Sequence, residues 1–91
     1  MTLELTVVYD IEKDAFNVQG NVKPELRRDF VFNFLRTQIG TGEDRSEAAE
    51  REVYTLQLKL DLNSDEYTVR DNCGNKGLRN GILLKYAELL N

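Results

Sequence analysis

Two stretches of alternation limit the folds open to this chain. Leu3, Leu5, Val7, Tyr9 and Ile11 alternate with Glu4, Thr6, Val8 and Asp10, and Tyr54, Leu56, Leu58, Leu60 and Leu62 alternate with Thr55, Gln57, Lys59 and Asp61. A period of two places each apolar set on one face of an extended strand, which predicts two half-buried strands. Each is followed by turn residues, Glu12-Lys13-Asp14 and Asn63-Ser64-Asp65, and then by a shorter alternating run, Phe16 and Val18 or Tyr67 and Val69. Strand, turn and strand in this order predict two hairpins.

The period then changes. Pro24 suits the first position of a helix, where its missing N–H costs nothing, and Leu26, Phe30, Val31, Phe34 and Leu35 follow at spacings of three and four. Gly40 and Gly42 are expected to stop this helix. After a loop over Asp71–Gly77, a second helix carries Leu78, Ile82, Leu83, Tyr86, Leu89 and Leu90 on its expected buried side, with Lys85 and Glu88 outside. Gly81 within it costs about 1 kcal/mol against alanine, which suggests a close contact there. Residues 40–52 carry Glu43, Asp44, Glu47, Glu50 and Glu52 against Arg45 and Arg51 and are expected to form an exposed acidic linker.

The two halves match. At an offset of 51, Leu5 meets Leu56, Val7 meets Leu58, Asp14 meets Asp65, Phe16 meets Tyr67 and Asn21 meets Asn72; at 52, Phe30 meets Ile82, Phe32 meets Leu84 and Phe34 meets Tyr86. Two ββα units of ordinary dimensions would align in this way without common origin, so internal duplication and coincidence both stay open. Either yields an α+β two-layer sandwich in ββα-ββα order, a four-stranded antiparallel sheet with two helices on one face. The expectation is one domain over 1–91, with halves 3–39 and 53–91 joined by the linker. The other sheet face would show polar residues of mixed charge to water.

The formal net charge of −4 argues against non-specific nucleic-acid binding and against docking on an anionic membrane. The aromatic residues fall on core-facing positions, which leaves no stacking platform for bases. Histidine is absent, which removes the commonest zinc ligand and the commonest general base. Cys73 is the only cysteine, so no internal disulfide can form, and a cytoplasmic setting is expected. No cofactor and no metal are implied. Asp10, Asp14, Asp61 and Asp65 read as turn and strand-end residues, although Asp10 and Asp61 could pair if their strands are neighbours.

Two places could carry function. Asn72, Gly74, Asn75, Lys76, Gly77 and Arg79 lead into the second helix, where backbone N–H groups, the helix dipole and two cationic side chains favour an anion. The spacing is neither a phosphate-binding loop ending in Lys-Ser or Lys-Thr nor a dinucleotide fingerprint. Cys73 beside it could have a lowered pKa, but no histidine exists to pair with it, and a buried or incidental cysteine is the favoured reading. The second place is the apolar edge of the helices at Phe32, Ile39 and Leu84, where the helices either pack together or meet a partner. The Tyr54–Leu62 strand would offer a further route if it lay at a sheet edge. The function expected is a non-catalytic protein-interaction or regulatory module, including a homodimer, with a small anion-binding protein using residues 72–79 as the alternative.

Overall fold

The computed structural model describes residues 1–38 and 51–90. In chain order these residues form β1 (Thr2–Asp10), β2 (Ala15–Gly20), a 3₁₀ turn (Pro24–Leu26), α1 (Arg27–Thr37), β3 (Val53–Asp61), β4 (Glu66–Asp71) and α2 (Lys76–Leu89). The class is α+β. The four strands make one open antiparallel sheet in the order β2-β1-β3-β4. The Tyr54–Leu62 stretch is therefore central, and the edges belong to the two short strands β2 and β4.

Alternation becomes burial on one face. Leu5, Val7 and Tyr9 from β1 and Tyr54, Leu56, Leu58 and Leu60 from β3 share a core with Phe30, Val31 and Phe34 of α1 and Ile82, Leu83, Tyr86 and Ala87 of α2. Both helices thus pack on the same face of the sheet. The 3₁₀ turn begins at Pro24, as proline favours, and leaves Leu26 exposed. The alternating patterns overshoot at their ends: Ile11 and Leu62 are exposed because the chain has already entered its turns. Leu89 and Leu90, expected on the buried side of the second helix, are likewise exposed at its C-terminal end. Asp10 and Asp61 lie on neighbouring strands but do not pair. The register sets Asp10 opposite Val53 and Asp61 opposite Thr2, at opposite ends of the seam.

The offset of 51 recurs in the geometry. The β1–β3 seam is unchanged when each partner is exchanged for its counterpart, and it centres on Thr6 opposite Gln57, themselves 51 apart. The Asn21 side chain accepts from the Glu4 N–H at 2.7 Å and donates to the Thr2 carbonyl at 3.0 Å. Asn72 accepts from the Thr55 N–H at 2.9 Å and donates to the Val53 carbonyl at 3.4 Å, so all three residues are shifted by 51. Ile11 N–H to the Glu52 carbonyl is matched by Leu62 N–H to the Met1 carbonyl. Asp14 and Asp65 both adopt positive φ, 49° and 57°, in the left-handed region that aspartate tolerates better than most residues. Gly20 departs from this equivalence. At φ +139° a Cβ there would lie 2.1 Å from the Glu4 carbonyl oxygen, a demand its counterpart Asp71 does not face.

Candidate functional site

The loop ahead of α2 brings together most of the residues expected to bind an anion, and it gives them internal partners. Asn75 is the helix N-cap, with its side-chain oxygen accepting from the Leu78 N–H at 2.7 Å. Asp71 accepts from the Cys73 N–H at 2.9 Å and stands 4.0 Å from the Arg79 guanidinium. Arg79 is buried. It donates to Gln38 at 2.7 Å and to Asn80 at 3.0 Å, and it lies over the Phe34 ring. Asn72 is occupied as the bolt to β3. Gly74, Asn75, Lys76, Arg79 and Asp71 line a cavity of about 260 Å³, so an anion entering it would meet a carboxylate. Gly77 lies just inside the helix without lining that cavity; a Cβ there would meet only the Asn75 side chain, at an ordinary 3.5 Å. Cys73 is buried, and burial, then the neighbouring Asp71, push its thiol up to about 11, which sets aside the alternative of a lowered pKa.

The helix edge has a different character. α1 and α2 lie side by side, and Phe32, Leu35 and Leu84 line an open groove of about 440 Å³ along their seam with Gly81, Arg36 and Gln38. A Cβ on Gly81 would meet nothing within 4 Å. The close contact expected at this glycine is absent, because it faces the groove rather than the neighbouring helix. Ile39 lies outside the described residues. Arg28 stands over the Phe32 ring at 5.0 Å, and Arg36 donates to Asn33 at 2.9 Å. Neither guanidinium meets a carboxylate among the described residues. Arg36 lines this groove, and Arg28 lies beyond Phe32, where it lines an adjoining hollow with Asp29, Asn33 and Arg36.

Among the described residues, the sheet face away from the helices is largely polar, with Val8 an apolar member. Thr6, Gln57, Glu4 and Lys59 lie on it, the last two joined by an ion pair at 3.5 Å. No group of three or more potential metal ligands occurs among the described residues, and none of the described helices is long and apolar enough to cross a membrane.

A third feature escaped the sequence. Tyr9, Asp14 and Lys85 join the first hairpin to α2: the Tyr9 hydroxyl donates to Asp14 at 2.6 Å, and Lys85 donates to Asp14 at 2.5 Å and to the Tyr9 oxygen at 3.1 Å. Lys85 holds the Asp14 carboxyl below its ordinary value, and Asp14 raises Lys85. The counterparts of Tyr9 and Lys85 in the numbering are Leu60 and Asn33. No protein-family model matches the chain, and neither does any curated protein or solved structure.

Proposed function

We propose that this chain is a non-catalytic protein-interaction module, built from two duplicated ββα units, and that its partner surface is the groove between α1 and α2. The observation that carries this reading is the apolar floor at Phe32 and Leu84, with Arg36 on its wall and Arg28 over the Phe32 ring, neither arginine in an ion pair among the described residues. Exposed apolar surface of this kind is stabilised when another protein covers it, and arginine at its rim adds contacts that specify an acidic neighbour. The duplication is supported by the two asparagine bolts, whose three-residue pattern alternation alone does not require.

A second copy of this acidic chain is the first partner to test. Sedimentation across a concentration series should show mass rising above 10.5 kDa for the parent protein. Leu84→Glu, at an exposed position, should hold the protein at monomer mass without unfolding it. A parent protein that stays monomeric throughout removes self-association, and equal association by the variant removes the groove.

A further inference from the structure

A second cavity lies at the other side of α1, between the helix and the ends of β1, β3 and β4. It measures about 350 Å³, and Leu3, Phe30, Leu60 and Tyr67 form its apolar walls. Ligand cavities span about 300–1,000 Å³ and pair such walls with a few polar groups that fix the ligand's orientation. This one admits a single ring or one branched chain.

The polar groups around it narrow the chemistry. Lys23 and Asp29 both line the cavity, one just before the 3₁₀ turn and the other in the first turn of α1. They form no ion pair with each other or with any other described residue. Asp29 also borders the hollow that Arg28 and Arg36 line, yet it pairs with neither. The two lining amides differ. Asn21 has both its side-chain oxygen and its nitrogen engaged by β1. Asn33 uses its oxygen alone, accepting from Arg36, and its amide N–H groups make no hydrogen bond among the described residues. One ammonium, one carboxylate and one amide donor therefore stand around an apolar hollow without partners among the described residues.

We propose that this cavity is a binding site for a free α-amino acid with a large apolar side chain. The side chain fills the hollow against Phe30, Leu60 and Tyr67. The carboxylate accepts from Lys23 and from the Asn33 amide, and the ammonium donates to Asp29, as charge-assisted hydrogen bonds. A carboxylic acid without the ammonium would set a like charge near Asp29, and an amine without the carboxylate would do so near Lys23. Such juxtaposition is unfavourable, so the zwitterion is the species that matches both charges. The site is separate from the interhelical groove and does not depend on it.

Titration of the full chain with L-phenylalanine, followed by amide resonances, tests the assignment. Saturable shifts are expected at Asn33, Leu60 and Tyr67 and not at Gly74 or Gly81, which border other hollows. Phenylpropionate lacks the ammonium and phenethylamine lacks the carboxylate. Each should bind about fivefold more weakly, the effect of one exposed ion pair. Asp29→Asn should weaken phenylalanine by a similar factor and leave phenylpropionate no weaker; Lys23→Gln should weaken phenylalanine and leave phenethylamine no weaker. Both positions are exposed, so neither change removes a core contact. Absence of saturable shifts up to the solubility of L-phenylalanine overturns the proposal, as does undiminished phenylalanine binding by either variant. Equal affinity for phenylpropionate or phenethylamine also overturns it, and that comparison requires no variant to fold.

Discussion

Replacing Gly81 by alanine separates the stability of α2 from the openness of the groove beside it. In a helix interior, glycine is about 0.8–1.0 kcal/mol less favourable than alanine because it loses more backbone freedom on folding. A new methyl usually adds or subtracts a packing term. Here the added Cβ has nothing within 4 Å, so the propensity difference should emerge nearly undiluted. Gly81→Ala should therefore stabilise the domain by about 0.5–1 kcal/mol. For a domain of this size that raises Tm by about 2–8 °C, and at a urea slope of about 1 kcal/mol/M it moves the midpoint up by roughly 0.5–1 M. Paired urea melts with equal slopes would measure it. An unchanged or lowered midpoint would refute the placement of Gly81 on open space and restore a close contact at this position. The same methyl narrows the groove, so a variant that is more stable yet associates less would tie the groove to binding directly.

Gly20→Ala should do the opposite: its Cβ meets the Glu4 backbone at 2.1 Å and its φ is +139°, and a loss of about 3 kcal/mol is expected in the same melts. Cys73, buried with its thiol pushed up to about 11, should resist iodoacetamide at pH 8 in the native protein and react at once in denaturant; fast native labelling would contradict its burial. The Asp14–Lys85 pair should add stability across a bounded pH window. Asp14 is lowered when folded, so its contribution is present above the ordinary value of 3.8 and lost as pH falls through the folded pKa. Lys85 is raised, so its contribution is present below 10.5 and lost as pH climbs through its folded pKa. Asp14→Asn should weaken both the acid and the alkaline dependence of Tm; identical profiles for variant and parent would show that the pair contributes nothing.

Strand and helix identity was legible because periodicity is local: each residue of β1 or β3 reveals its face through its neighbours two positions away. End effects were not. Ile11 and Leu62 continue the alternation in the sequence while the backbone has already turned, and Leu89 and Leu90 continue the helical period past the sheet they would pack on. The partners of the loop before α2 were hidden for a related reason. Arg79 has the right residue type for an anion ligand, but its partners Asp71 and Gln38 come from another element and from the end of α1. Phe32 and Leu84 were identifiable as edge residues because helical angle alone separates them from the core stripe.

The central β1–β3 seam also sets how the chain reaches this state. Its paired residues lie 43 to 59 positions apart, whereas those within each hairpin lie 5 to 15 apart. Hairpin closure is entropically cheap and fast, and joining remote strands is slow because the intervening chain must be ordered first. Folding should therefore proceed as two early local assemblies followed by one late encounter between them. Substitutions along Leu5, Val7, Leu56 and Leu58 would be felt in the rate of that encounter, and changes confined to the turns in how much of each assembly is ready for it.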